Sequence, residues 1–131
     1  MLRLGAAKAI AFDNDVDAYG ALRDNRARNG VDAARMPLFI GVVESLRCGR
    51  FDVVTMNIIP EVILPLLGDV GRMLCAPTGR GAQRAPAAGT LILSGILVER
   101  AAEVVAACAA RGLRLAEERK KSEWWAGSFR I

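Results

Sequence analysis

The chain has 131 residues, of which 53% are hydrophobic, and this is enough for one globular domain with a substantial core. It contains no histidine, which excludes His-based acid–base catalysis, Ser-His-Asp triads and most zinc sites. No apolar run approaches the roughly 18 residues of a membrane-spanning helix, and the N-terminal residues lack the apolar core of a signal peptide.

Cysteine usage and charge bear on the cellular compartment and the class of partner. The cysteines Cys48, Cys75 and Cys108 are far apart and lack metal-ligand spacing, which is typical of reduced core residues in a cytoplasmic protein. The net charge of +4 is carried largely by arginine. An arginine patch could bind an acidic partner such as RNA, but few aromatic residues are interleaved, so a solvated face is favoured and direct nucleic-acid binding is not expected. These arginines are Arg23, Arg26, Arg28, Arg35, Arg47 and Arg50.

The first third of the chain predicts a helix between two short strands. Apolar runs place the strands at residues 8–12 and 38–43, and the helix between them at residues 16–28. Asp15 is positioned to cap the start of this helix, since its carboxylate can accept a backbone N–H. Gly30 ends the helix, because glycine readily adopts the left-handed conformation of a C-terminal cap.

Residues 51–56 form the clearest candidate for a buried strand, which ends abruptly at the amide side chain of Asn57. Pro60 follows soon after and can begin a helix. In open α/β sheets, functional residues lie just beyond the carboxyl ends of the strands, so Asn57 is a candidate functional residue. Capping of the following helix explains the same asparagine equally well from spacing alone.

The rest of the chain continues the alternation of helix and strand. The helix after Pro60 carries an apolar stripe at Val62, Ile63, Leu66, Leu67, Val70 and Leu74. A connection over 75–89 leads to a strand at 90–93, and Gly112 ends the helix that follows. Strands at 113–119 and 124–131 close the chain as a β-hairpin. The predicted class is α/β, with a mostly parallel sheet and an antiparallel edge.

Several segments of the chain resemble parts of one enzyme family. The segment Phe12-Asp13-Asn14-Asp15 is similar to the end of the second strand of class I S-adenosylmethionine-dependent methyltransferases. The resemblance narrows to the catalytic domain of PrmA-type ribosomal protein methyltransferases at residues 51–58 (FDVVTMNI), at 89–97 (GTLILSGIL) and at Glu123-Trp124. These enzymes trimethylate a large-subunit ribosomal protein, number eleven. The resemblance implies a Rossmann-like sheet and S-adenosylmethionine as the methyl donor.

The resemblance also implies roles for three residues. Asp13 matches the carboxylate that binds the ribose hydroxyls of the cofactor, since an ionised carboxylate can accept both hydrogen bonds; a helix-capping acid is the alternative. Asn57 matches a cofactor-binding residue that also acts in catalysis, by holding the substrate amine with its lone pair towards the methyl group. Ile58 helps to wall the cofactor pocket. We expect Asp13 and Asn57 to lie at the same edge of the sheet and to face one cleft.

The chain departs from the family pattern at its start. The first strand with its glycine-rich loop and the N-terminal recognition domain of the family are missing, so we expect a single, truncated catalytic domain over residues 1–131, with impaired activity. Residues 41–44 also lack the acid expected directly after the glycine, which leaves the adenine contact unassigned. Without the central first strand, two strand edges lack partners, and we expect self-association through them.

Functions other than methylation of a ribosomal protein stay open. An asparagine at this strand end also suits methyl transfer to the aromatic amine of a nucleobase or of a small molecule. The non-enzymatic alternative is a remnant that binds the cofactor weakly or not at all and serves as a structural domain. Neither a metal nor a membrane is an expected partner, and the chain lacks the dinucleotide glycine fingerprint of nicotinamide enzymes.

Overall fold

Residues 1–46, 51–74 and 89–131 are described by a computed structural model of the chain. The chain divides into two compact units, Met1–Arg47 and Cys48–Ile131. Predicted features that lie outside the described residues are Arg47 and Arg50 of the arginine patch, Cys48, Cys75 and nearly all of the connection 75–89. Within the described ranges, no helix is long and apolar enough to cross a membrane.

The first unit contains a parallel pair of strands with a helix between them in the chain. Strand β1 is Ala11–Asp13, helix α1 is Ala18–Arg28 and strand β2 is Leu38–Ile40. Phe12 and Phe39 are partners in the register of the two strands, and their rings stack with centroids 5.0 Å apart. The order of strand, helix and strand confirms the prediction for this part of the chain.

The predicted start of helix α1 is wrong. The helix begins at Ala18 rather than at residue 16, and its N-cap residue is Asp17. Asp15 does not cap the helix, because its Oδ1 accepts the N–H of Asp17 at 2.9 Å in a turn that precedes the helix. The predicted end is confirmed, since Gly30 has φ 62° and donates its N–H to the carbonyl oxygen of Ala27 at 2.9 Å.

Both strands of the first unit differ from the apolar runs that predict them. The run at 8–12 forms a strand only from Ala11, which then continues to Asp13. The run at 38–43 is a strand only as far as Ile40, because the backbone then enters a short 3-10 helix at Val43–Ser45. Val43 is nevertheless buried, so hydrophobic burial accounts for the whole run although only its first half is extended.

In its described part, the second unit combines a four-stranded sheet with two α-helices. In chain order it contains β3 (Val53–Asn57), α2 (Pro60–Leu74), β4 (Thr90–Leu97), α3 (Ala101–Ala109), β5 (Arg114–Lys121) and β6 (Trp124–Arg130). The strand order is β3-β4-β6-β5; β3 and β4 are parallel, and β6 is antiparallel to both of its neighbours. Parallel pairs and a C-terminal antiparallel hairpin confirm the predicted α/β class.

The hydrophobic core lies in the second unit and is formed by the helices and one face of the sheet. Its buried members are Ile63, Leu67, Val70, Leu74, Leu91, Leu93, Ile96, Ala101, Val104, Cys108, Leu113, Trp125 and Phe129. Cys108 is confirmed as a free, buried core residue, and burial raises the pKa of its thiol to about 11. The thiol is therefore protonated at neutral pH and inert. The cytoplasmic location that the cysteines suggest stays a prediction.

Strand β4 extends to Leu97, beyond its predicted end at Leu93, because it contains a β-bulge. The register between β4 and β6 shifts between Leu93 and Ile96. In a regular strand these two side chains would point to opposite faces, yet both are 0% exposed. The bulge contains Gly95 at φ 74°, a conformation that favours glycine. The glycine therefore bends the strand and does not end it.

Strand β3 is an edge strand, since among the described residues it pairs with β4 alone. The outer backbone N–H and C=O groups of an edge strand can pair with another copy of the chain. We expect the isolated 131-residue chain to self-associate, so that its mass in light scattering rises with concentration. Thr55→Lys should weaken the association, because this residue is exposed on the edge strand and charge opposes edge pairing. A mass of one chain at every concentration would show the expectation to be wrong.

Candidate functional site

Asp13 is the last residue of β1 and is half-buried. Its carbonyl oxygen accepts the N–H of Gly41 at 2.9 Å. Its carboxylate Oδ1 accepts the N–H of Asp15 at 3.0 Å, which forms an Asx turn directly after the strand. Because a carboxylate has two acceptor oxygens, this turn leaves capacity for the hydroxyls of a ligand. Asp13 does not cap α1, which begins only at Ala18.

Asn57 is the last residue of β3, and its side chain is exposed. The preceding residue, Met56, packs against the core and so anchors this end of the strand. Helix α2 begins at Pro60, and the carbonyl oxygen of Ile59 accepts the N–H of Ile63 at 3.2 Å. Ile59 therefore occupies the N-cap position, which removes helix capping as the explanation of Asn57.

The side-chain amide of Asn57 lies against Gly95 in the bulge of β4. Asn57 and Ser94 are partners in the parallel register of β3 and β4. A Cβ atom placed on Gly95 would overlap the side-chain oxygen of Asn57 and lie 3.4 Å from its Cγ. Sequence reasoning missed Gly95 as a residue of the site. The signal in the sequence was a glycine inside an apolar run, which suggests a bulge or a close approach of two backbones.

Exposed apolar side chains accompany Asn57 at the carboxyl end of the parallel strands. Ile58 follows Asn57 directly and is 38% exposed. Leu97 ends β4 and is the register partner of Trp124, which begins β6 and is 49% exposed. An amine held beside apolar surface is partly desolvated, and desolvation favours its neutral form.

Glu61, in the first turn of α2, is the acidic residue that follows Asn57 in the chain. Arg100 Nη1 donates to Glu61 Oε1 at 2.6 Å, and this hydrogen bond lowers the pKa of Glu61. Arg100 Nε also donates to Glu103 Oε2 at 2.8 Å, so the arginine joins α2 to α3. Glu61 is thus an ion-paired carboxylate that links two helices, and it is poorly suited to proton abstraction. Among the residues that the structure describes, no group of three His, Cys, Asp or Glu side chains could hold a metal ion.

The predicted site residues lie where parallel strands end. Asp13 is at the carboxyl end of β1, which is parallel to β2, and Asn57 is at the carboxyl end of β3, which is parallel to β4. They belong to different compact units. The expectation that they face one cleft stays a prediction.

Comparison with known proteins identifies relatives of the chain. The family described as "Ribosomal protein L11 methyltransferase (PrmA)" matches residues 1–130. A ribosomal protein L11 methyltransferase from Geobacter sulfurreducens is 37% identical over 123 residues, which are 94% of this chain and 36% of that protein. The protein of the same name from Pelotomaculum thermopropionicum is 37% identical over 129 residues, which are 98% of this chain and 38% of that protein. The chain thus spans little more than a third of the length of these curated relatives.

A solved structure shares the fold. The ribosomal protein L11 methylase from Lactobacillus delbrueckii subsp. bulgaricus superposes with a TM-score of 0.78 and 21% sequence identity. The match covers 98% of this chain and 60% of that chain. At this identity the likeness concerns the fold alone, and it confirms the predicted Rossmann-like architecture.

Proposed function

The chain belongs to the ribosomal protein L11 methyltransferase (PrmA) family, and on that basis we propose that it carries the methyl-transfer part of a protein N-methyltransferase. The methyl donor in this proposal is S-adenosylmethionine, and the acceptors are amines of a ribosomal protein. The exposed amide of Asn57 at the carboxyl end of β3 carries the proposal. In open α/β sheets, ligands bind beyond such strand ends.

Asp13 would bind the ribose hydroxyls of the cofactor. Its carboxylate fits this role, because one backbone N–H engages Oδ1 and acceptor capacity is left for two hydroxyls. Ile58 would supply apolar contact to the cofactor pocket. When bound, S-adenosylmethionine supplies a methyl group on a positively charged sulfur, which is already a good electrophile.

Asn57 would hold the substrate amine and contact the cofactor. Its side-chain carbonyl oxygen accepts an N–H of the amine, which aims the nitrogen lone pair at the methyl carbon. S-adenosylmethionine, held by Asp13 and Ile58, would supply the methyl group to the nitrogen that Asn57 orients; the sulfur would keep the electron pair of the methyl–sulfur bond, and the amine proton would pass to water. The exposed apolar side chains of Ile58 and Leu97 at the carboxyl ends of β3 and β4 would lower the pKa of a bound lysine amine by desolvation, so that more of it is neutral and nucleophilic.

A chimera tests the proposal. The aligned 123-residue segment of the Geobacter sulfurreducens relative is replaced by that of this chain, so that the relative supplies the rest of its own length. With S-adenosylmethionine tritiated in the methyl group, the chimera should transfer tritium to ribosomal protein L11, as the unaltered relative does in a parallel reaction. Absence of transfer to any acceptor, while the unaltered relative is active in the parallel reaction, would favour the non-catalytic remnant. Tritium in a nucleobase or small molecule, with none in L11, would favour the second enzymatic function.

A further inference from the structure

Core packing on both sides fixes the backbone at Gly95. Leu93 and Ile96 flank the bulge and are both 0% exposed. On the neighbouring strand they pair with Gly127 and Trp125, which are buried as well. Because a close-packed interior resists displacement, the backbone at Gly95 cannot shift without moving these buried groups.

The space beside Gly95 is occupied by Asn57. The three heavy atoms nearest to a Cβ atom placed on Gly95 all belong to Asn57: its side-chain oxygen, its Cγ at 3.4 Å and its backbone carbonyl carbon at 3.6 Å. The side-chain oxygen is the outer end of an exposed side chain that can rotate about χ1, whereas the backbone at the bulge is held. A larger residue at position 95 would therefore displace the amide of Asn57 and leave the strand in place.

We propose that Gly95 is a positioning residue for Asn57. The side-chain oxygen of Asn57 occupies the space that a Cβ atom on Gly95 would fill. The bulge holds the backbone of Gly95 in place and so keeps this space available at the carboxyl end of β3. Precise placement of the group that orients a nucleophile is worth a large factor in rate. This inference rests on the proposed function, because Gly95 would influence methyl transfer only through Asn57.

Gly112 provides a matched control. Gly95 and Gly112 have similar positive φ angles, 74° and 78°, but a Cβ atom on Gly112 would have no neighbour within 4 Å. Alanine at either position is strained by the positive φ, which raises the unfolding equilibrium constant by a factor of roughly 5 to 30. Gly95→Ala and Gly112→Ala should therefore lose similar stability in urea denaturation, and only Gly95→Ala should move Asn57.

Nuclear magnetic resonance of the 131-residue chain reads the position of Asn57 directly, with Thr55→Lys present in every sample to weaken self-association through β3. The side-chain amide resonances of Asn57, assigned by their loss in Asn57→Asp, should shift in Gly95→Ala and stay in place in Gly112→Ala. In the chimera, Gly95→Ala should lower kcat roughly 100-fold with little change in the KM for S-adenosylmethionine. It should lower kcat no further when Asn57→Ala is already present, because the two changes remove the same interaction.

Unchanged Asn57 amide resonances in Gly95→Ala would overturn the proposal. So would a kcat for Gly95→Ala in the chimera equal to that of Gly112→Ala. If the parent chimera transfers no methyl group, the proposed function fails, and the resonance comparison still decides whether Gly95 positions Asn57. If Gly95→Ala does not fold, Gly95→Asn takes its place, since asparagine tolerates a positive φ and still introduces a Cβ atom.

Discussion

Asn57→Ala in the chimera is expected to lower kcat about 100-fold and to change the affinity for S-adenosylmethionine far less. Alanine keeps the end of β3 intact but removes the carbonyl oxygen that would orient the amine. Single-turnover methyl transfer to L11 at saturating cofactor, together with calorimetric titration of the cofactor, separates the two effects. Thr55→Ala is the matched control, because Thr55 is exposed on the same strand two residues earlier and should leave the rate unchanged.

Asn57→Asp extends this prediction to pH. A carboxylate still accepts an N–H, but its negative charge favours the ammonium form and so raises the pKa of a bound amine. More alkaline solution is then needed to reach the same fraction of neutral amine. The pH–rate profile of Asn57→Asp should therefore move to higher pH than that of the parent chimera. A pure rise in KM for L11, with kcat and its pH profile unchanged in both variants, would show that Asn57 only binds substrate.

Trp125→Ala is expected to lower the free energy of unfolding of the chain by about 3–5 kcal/mol. Trp125 is 1% exposed, and the centroid of its ring lies 6.3 Å from that of Phe129. The ring also covers Gly127, where a Cβ atom would collide with it. Its Nε1 donates to Glu118 Oε2 at 2.7 Å. Urea denaturation measures the loss, which is a large part of the roughly 5–15 kcal/mol typical of a domain.

Trp124→Ala is the control for Trp125→Ala, because Trp124 is the adjacent tryptophan on β6 and is 49% exposed. Its loss should cost about 1 kcal/mol, well below the loss for Trp125→Ala, because its main packing is the cross-strand pair with Leu97. Equal destabilisation by the two variants would contradict the packing described for β6.

Trp125→Phe isolates the hydrogen bond to Glu118. The bond from Trp125 lowers the pKa of Glu118 below its ordinary value of 4.5. The stability that this bond contributes is therefore present above pH 4.5 and is lost as pH falls through the lowered pKa. Trp125→Phe should remove this part of the acid dependence of unfolding.

The helices and strands that follow from a regular repeat or run of apolar residues could be predicted from the sequence, together with the residues at which they end. The apolar stripe of α2 predicts its buried face, since Ile63, Leu67, Val70 and Leu74 recur at the helical period and all lie in the core. Asn57 could be placed because an apolar run of strand length ends there and α2 begins at Pro60, although the strand is partly exposed and not buried as predicted. The stop at Gly30 could be predicted because few residues other than glycine adopt its positive φ.

The features that interrupt the regular alternation of side chains, or that join distant parts of the chain, could not be predicted. Leu93 and Ile96 face the same core only because the bulge adds a residue between them, and a glycine in a strand is read as its end. The Asx turn at Asp13 is a similar case, since Asp13, Asp15 and Asp17 alternate along the chain and each could have capped the helix. The contact of Gly95 with Asn57 joins two strands that are far apart in the chain, and strand pairing is not visible in local sequence.

The central claim is that residues 1–131 carry out methyl transfer to protein amines. Mass spectrometry of ribosomal protein L11 after reaction with the chimera tests this claim most directly. The expected result is a mass increase in steps of one methyl group, located by fragmentation on amine nitrogens and strongly reduced with Asn57→Ala. L11 of unchanged mass, from a chimera that binds S-adenosylmethionine as tightly as the unaltered relative does, would contradict the assignment of this activity to the chain.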